Sequence, residues 1–253
     1  MEKPWGVAVN QRGQVVVTER DNCCVSVFDV NGEKRLSFGS RGSGQGEFER
    51  PSGVTVDGEG NIYVADAGNN SIQKFTPEGQ FLMSVGVSSS PVGSLRSVQF
   101  NRFNGRLYIT KGHYVEILDT DLTFWNSFEL QECEYSTAYD VCCDSTGKVY
   151  IADCSNHRVQ VFTAEGEFLG IFGEPGKEKG QLFCPYCLAL DDWSNQLYIS
   201  ELGAHRVSIF NAIGMYDTSV GTEQGKMLSP RGLCVDCGVM YVCDSGNNCV
   251  QIF

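Results

Sequence analysis

Long apolar runs are absent from this sequence. No stretch approaches the ~18 consecutive apolar residues of a membrane-spanning helix, and Met1-Glu2-Lys3-Pro4 lacks the apolar core of a secretory leader. Positive charge is in deficit. The chain of 253 residues carries 19 Lys and Arg against 31 Asp and Glu, a net charge of −12. A basic footprint for nucleic acid is therefore missing at the level of the whole chain. The deficit is uneven, with 9 basic and 11 acidic residues in 1–100 against 10 and 20 in 101–253. Any anion-binding surface is expected early in the chain or very local. No segment holds a sustained helical period, which excludes an alternating β–α architecture. Proline is scarce, at 7, and histidine scarcer, at 3. Two catalytic signatures, G-x-S-x-G and H-E-x-x-H, are missing, and the glycine-rich Arg41-Gly42-Ser43-Gly44-Gln45-Gly46 lacks G-x-G-x-x-G spacing. The chain is expected not to be an enzyme and to need no cofactor.

Glycine is abundant, at 29, and short β-rich runs recur between turn signals. The clearest unit is Pro51-Ser52-Gly53-Val54-Thr55-Val56-Asp57, then Gly60-Asn61-Ile62-Tyr63-Val64-Ala65-Asp66, then Asn70 to Phe75, then Glu78 to Leu82. It returns five more times. The residues that open the first strand of each copy are Gly6, Gly53, Ser97, Asp140, Cys187 and Gly232, spaced 47, 44, 43, 47 and 45. Three or four short strands per ~45 residues make one blade of a β-propeller. The expected fold is all-β: a single six-bladed propeller over 1–253 with four-stranded antiparallel blades. The copies run approximately 4–48, 51–92, 95–135, 138–182, 185–227 and 230–253. The sixth stops at Phe253 after its third strand, so the last blade is expected to be three-stranded here or completed by upstream sequence.

The pattern P-x-G-V-x-V-D … G-x-I-Y-V-A-D-x-x-N-x-x-I/V-Q-x-F … G-x-F resembles the NHL repeat, and the likeness covers essentially the whole chain. Its best-known carriers are the tripartite-motif (TRIM) NHL proteins, where a RING, B-boxes and a coiled coil precede the propeller. The resemblance implies a propeller that selects protein substrates for a ubiquitin ligase, with oligomerisation through an upstream coiled coil. It implies RNA binding as the alternative, since several such propellers bind RNA. Copy three departs from the pattern, reading Leu95-Arg96-Ser97-Val98, with Thr110 where Asp66 stands in copy two.

Individual residues read as follows. Glu19, Asp66, Asp153, Glu201 and Asp244 end the second strand of their copies, where a carboxylate accepts backbone N–H bonds of the following loop. All three histidines, His113, His157 and His205, fall at the position of Asn70 and read as loop residues interchangeable with Asn. Three histidines from separate loops are also the donor set of an open zinc site, as in the amidoglycolate lyases that NHL propellers resemble. Those ligands come from alternate blades and these from consecutive ones, so a zinc lyase stands third among the readings. Cys184/Cys187 and Cys234/Cys237 are C-x-x-C pairs at non-equivalent places in the repeat. Cys142, Cys143, Cys234 and Cys243 replace Thr, Val or Ala and read as small core residues. All twelve cysteines are expected to be reduced, in a cytoplasmic protein without a membrane anchor.

The working surface is expected where second-to-third-strand loops and blade-to-blade connections emerge. Its basic and aromatic members are Arg20, Arg50, Arg96, Lys111, His113, Tyr114, His157, Arg158, Tyr186, His205, Arg206 and Arg231. A protein partner, or RNA, would bind there. Acidic residues gather elsewhere, at Asp119, Asp121, Glu129, Glu132, Glu134, Asp191 and Asp192.

Overall fold

The structure is a computed structural model that describes residues 1–87, 95–131, 136–221 and 226–253. Glu132, Glu134 and Cys133 lie outside them. Six antiparallel sheets form the blades. Blade one holds β1 (Pro4–Val9), β2 (Val15–Glu19), β3 (Cys24–Phe28) and β4 (Lys34–Phe38). A small parallel pair, β5 (Ser40–Arg41) and β6 (Glu47–Phe48), bridges to blade two. Blade two holds β7 (Pro51–Val56), β8 (Ile62–Asp66), β9 (Ser71–Phe75) and β10 (Phe81–Gly86). Blade three holds β11 (Leu95–Asn101), β12 (Arg106–Lys111), β13 (Tyr114–Leu118) and β14 (Phe124–Glu129). Blade four holds β15 (Ala138–Cys143), β16 (Val149–Asp153), β17 (Arg158–Phe162) and β18 (Phe168–Phe172). Blade five holds β19 (Pro185–Asp191), β20 (Gln196–Glu201), β21 (Arg206–Asn211) and β22 (Tyr216–Val220). Blade six has three strands, β23 (Pro230–Asp236), β24 (Val239–Asp244) and β25 (Cys249–Ile252).

Burial explains the residue choice in each strand. The second strand of blades one, two and four is buried at every position, because neighbouring blades cover both of its faces. It therefore reads as a continuous apolar run, such as Ile62-Tyr63-Val64-Ala65. The fourth strands lie at the rim and are largely exposed, as in β10 and β18. Tyrosines bolt the blades together. The hydroxyls of Tyr63, Tyr108 and Tyr150 donate to the Thr120, Ala164 and Ala212 carbonyls of the next blade at 3.2, 3.1 and 3.2 Å.

The first strands line the central channel and approach one another closely. A Cβ on Gly53 would stand 2.5 Å from Ser97 Oγ, and one on Gly232 would stand 2.4 Å from the Trp5 carbonyl. Glycine at these two positions lets the ring close. Blade six is further tied to the start of the chain. Ser245 Oγ donates to the Pro4 carbonyl, and the Lys3 N–H donates to Asn248 Oδ1 at 2.9 Å. Among the described residues, no helix is long and apolar enough to cross a membrane.

Candidate functional site at the channel mouth

The upper end of the ring is where the second-to-third-strand loops and the blade-to-blade connections emerge. Its framework is a set of buried carboxylates. Asp66 accepts the Glu49 and Arg50 N–H groups at 3.0 and 2.9 Å, Glu201 the Phe183 N–H at 2.7 Å, and Asp244 the Leu228 N–H at 2.8 Å. Asp153 accepts the Thr137 N–H at 3.1 Å and Glu19 the Glu2 N–H at 3.2 Å. Each carboxylate thus fastens the lead-in of its blade's first strand to the end of its second, in addition to bonds within the loop such as Gly68 N–H to Asp66. Burial pushes the Glu19 carboxyl up. Bonds from Ser26, Asn22 and the Glu2 N–H, with the Lys34 ammonium, outweigh burial and hold it below the usual range.

Blade three breaks this framework in a way the sequence pattern misplaces. Thr110 pairs with Val115 as Ala65 pairs with Ile72, and Lys111 pairs with Tyr114 as Asp66 pairs with Ser71. The residue at the carboxylate position is therefore Lys111, not Thr110. The hairpin after it has two residues, Gly112 and His113, where the corresponding loop in blade two has four. Lys111 is buried, and among the described residues its Nζ has no hydrogen-bond partner.

The histidine column also resolves into a structural role. Cys23, Asn70, His157, His205 and Asn248 all adopt positive φ, between 49 and 57°. In blade three Gly112, not His113, takes that conformation, with φ 57°. The side chains then reach the following blade. His157 Nδ1 accepts the Cys184 N–H at 2.9 Å, and His205 Nδ1 accepts the Ser229 N–H at 3.1 Å. Asn70 Nδ2 donates to the Val87 carbonyl at 2.9 Å. His157 also stacks on Phe183, and His113 packs against Tyr114. Among the described residues, no three His, Cys, Asp or Glu side chains come together in a way that could hold a metal ion.

Besides Lys111, two of the twelve candidate surface residues are buried cations, and both pair with a framework carboxylate. Arg158 Nε donates to Asp153 at 3.0 Å, and Arg206 Nε donates to Glu201 at 2.7 Å. Arg206 also donates to the Lys177, Glu178 and Gln181 carbonyls. Both arginines are buried and hold the blade-to-blade connection.

Five others gather at the channel mouth. The second residue of each first strand forms a ring there: Trp5, Ser52, Arg96, Tyr139, Tyr186 and Arg231. Arg20 and Arg231 each place the guanidinium carbon 3.7 Å from the centroid of Trp5. Arg231 also lies over Tyr186 at 4.9 Å, Tyr186 packs on Tyr139 at 4.9 Å, and Arg96 lies over Tyr139 at 4.7 Å. The result is a continuous arc, Arg20–Trp5–Arg231–Tyr186–Tyr139–Arg96, with exposed Arg50 across the gap left by Ser52. Trp5 and Tyr139 do not figure among the twelve candidates. The signal that finds them is the column of residues following Pro4, Pro51, Leu95, Ala138, Pro185 and Pro230.

Below the arc lies a small cleft of about 40 Å³, whose lining includes Ser97, Asp140 and Cys187. Asp140 is buried and accepts the Leu188 N–H at 2.9 Å. Burial pushes its carboxyl up, and the bonds from Cys187, Ser97 and the Leu188 N–H offset only part of that. A larger cavity of about 280 Å³ opens at the other end of the channel, between Val7, Val56, Phe100, Leu188 and Val235.

The cysteines depart from the expectation that all are reduced. Cys154, in the loop after β16, is disulfide-bonded to Cys184, which leads into blade five. Among the described residues the nine others are free thiols. Burial pushes the thiols of Cys142, Cys143, Cys187, Cys234 and Cys243 up, which makes them poor nucleophiles.

Comparison with known proteins agrees with the repeat. The model of the NHL repeat matches residues 2–28, 48–75, 140–162 and 227–253. These lie in blades one, two, four and six; the deviant blade three is outside them. Protein brain tumor of Drosophila melanogaster is 33% identical over 66 residues, which cover 26% of this chain and 6% of that protein. Among solved structures, virginiamycin B lyase from Staphylococcus aureus with quinupristin has a TM-score of 0.74 at 14% identity, over 96% of this chain and 79% of that one. A gluconolactonase from Xanthomonas campestris has a TM-score of 0.75 at 13% identity, over 95% and 82%. A chain of a nidogen–laminin complex has a TM-score of 0.72 at 16% identity, over 92% and 86%. At these identities the likeness establishes the fold. It also corrects the expectation that the chain is not an enzyme. Lyases and a lactonase share this propeller, so a propeller without familiar sequence signatures does not set catalysis aside.

Proposed function

We propose that this NHL propeller is a recognition module that binds a protein partner across its upper end, centred on the channel mouth. In a tripartite-motif setting it would select substrates for a RING ubiquitin ligase. The observation that carries the reading is the arc of three aromatic rings and three arginines at one end of a rigid ring. Aromatic and arginine side chains are the residue types that dominate binding energy at protein interfaces. They are presented by first strands whose positions are fixed by close packing, so a partner meets a preformed surface.

RNA is the second reading, favoured by the alternation of cations and rings, which suits phosphates and bases. Trp5 weighs against it, because two guanidiniums already lie 3.7 Å from its ring where a base would have to stack.

The test is capture of cellular partners by the propeller, compared between two variants. Arg50→Glu alters the upper end, and Trp193→Ser alters the opposite end, where Trp193 is 93% exposed. Partners lost with Arg50→Glu and kept with Trp193→Ser support the reading. The reverse pattern would place recognition at the other end.

A further inference from the structure

The mouth concentrates like charge without neutralising it. Arg20, Arg50, Arg96 and Arg231 converge there, and none of them is in an ion pair among the described residues. The carboxylates that do form ion pairs serve other cations, as in Lys3–Asp21, Arg106–Asp119 and Arg206–Glu201. Burial, together with Arg50, Arg231 and Arg96, holds the Arg20 guanidinium below its ordinary value, against the opposing pull of Tyr186. Arg96 Nε is buried with no hydrogen-bond partner. In a chain of net charge −12 this is a local excess of unpaired positive charge.

The geometry says what would relieve it. A guanidinium stacked on a ring keeps its plane against that ring and its N–H edges directed outward. That edge takes a planar, two-oxygen acceptor in bidentate fashion. Arg20 and Arg231 both lie 3.7 Å from Trp5, so two guanidiniums meet at one indole.

We infer that the channel mouth binds a carboxylate presented by a protein partner, an acidic side chain or chain terminus on an extended segment, gripped by Arg20, Arg231 and Arg96. This rests on the upper end being the recognition surface. Three observations favour a carboxylate tip over a phosphate backbone. The cleft of about 40 Å³ admits the end of one side chain and not a base. Acidic residues adjoin the arginines in sequence, Asp21 after Arg20 and Glu49 before Arg50, so a long polyanion would run over negative charge. Asp140 also lines the cleft, so a polyanion threaded deeper would meet a carboxyl group there.

The experiment measures binding of three fluorescent probes to the purified chain by anisotropy over a salt series. The probes are hexaglutamate, hexaglutamine and decauridylate. Hexaglutamate is expected to bind, to weaken as salt rises, and to lose at least tenfold in affinity in the Arg20→Gln/Arg231→Gln double variant. Arg50→Gln, at an exposed position, is expected to weaken it severalfold with no change in unfolding temperature, which separates binding from folding. Equal binding of hexaglutamate and hexaglutamine, a preference for decauridylate, or indifference to the arginine variants would overturn the inference. If that happens while partner capture still depends on Arg50, the recognition surface stands and only its carboxylate chemistry fails. Loss of both overturns the two together.

Discussion

Lys111 stands in blade three where Asp66 stands in blade two, an ammonium in place of a carboxylate at the same register position. Asp66 is bonded to two backbone N–H groups of the chain leading into β7. An ammonium cannot accept those bonds, and among the described residues Lys111 Nζ makes none of its own. The partner position on the third strand gains a negative charge. Glu116 replaces the polar neutral residue that Gln73, Gln160 and Ser208 supply in other blades.

A buried amine that makes no hydrogen bond among the described residues leaves part of its desolvation cost unmet, even with a carboxylate at the facing position. Lys111→Met keeps the length of the side chain and removes the charge. It is expected to raise stability by about 1–3 kcal/mol. Urea unfolding followed by fluorescence gives the answer. A midpoint below that of the parent would mean that the amine serves the fold or a ligand.

The fold was legible because each repeat states the same strand pattern, and because second strands buried on both faces spell it in apolar residues, Val149-Tyr150-Ile151-Ala152 as clearly as Ile62-Tyr63-Val64-Ala65. The site was legible only in part. Arg20, Arg96, Tyr186 and Arg231 are recognisable as loop or strand-end residues. Arg158 looks the same in sequence and turns inward to Asp153. The difference is its place in the third strand, opposite the buried carboxylate, which only pairing register reveals. Trp5 and Tyr139 were hidden for the opposite reason. They sit beside Pro4 and Ala138 in first strands, where aromatic side chains are ordinarily core. Cys154 and Cys184 are 30 residues apart in sequence, and what brings them together is the contact of each second-to-third-strand loop with the lead-in to the next blade, which pairing register alone reveals.

Arg206 and Arg50 should behave as opposites. Arg206 is buried against Glu201 and three carbonyls, so Arg206→Gln leaves a buried carboxylate without its cation. The expected loss is about 3–5 kcal/mol. Arg50 is exposed, and Arg50→Gln should stay within ~0.5 kcal/mol of the parent. Chemical unfolding of the two variants side by side checks both. Equal stability of the two would show that Arg206 is not part of the framework.

Asp140 makes stability depend on pH in a defined direction. Burial raises its carboxyl above the value it has in the unfolded chain. Between those two values the folded state binds the proton that the unfolded state has lost. The contribution of Asp140 is therefore complete below the unfolded value and is lost as pH rises through the folded one. Asp140→Asn keeps an acceptor for the Leu188 N–H and cannot ionise. Its unfolding temperature should gain on that of the parent as pH climbs from 4 to 8. Parallel curves would show that the Asp140 carboxyl does not contribute to the pH dependence.

The Cys154–Cys184 bond joins the loop after β16 to the chain leading into β19, across the boundary between blades four and five. It closes a loop spanning 30 residues of sequence that contains β17 and β18. Holding the ends of such a loop together in the unfolded chain stabilises the fold by roughly 3–4 kcal/mol in the chain-entropy description. The native geometry at that place does not depend on the bond alone. His157 Nδ1 takes the Cys184 N–H, and Phe183 stacks on the same imidazole. Reduction is therefore expected to lower the unfolding midpoint without opening the ring. Peptide mapping without reductant should recover residues 154 and 184 in one linked species. Cys154→Ser/Cys184→Ser should match the reduced parent in stability and retain its β-sheet circular dichroism. A double variant as stable as the oxidised parent would show that the clip adds nothing to the fold.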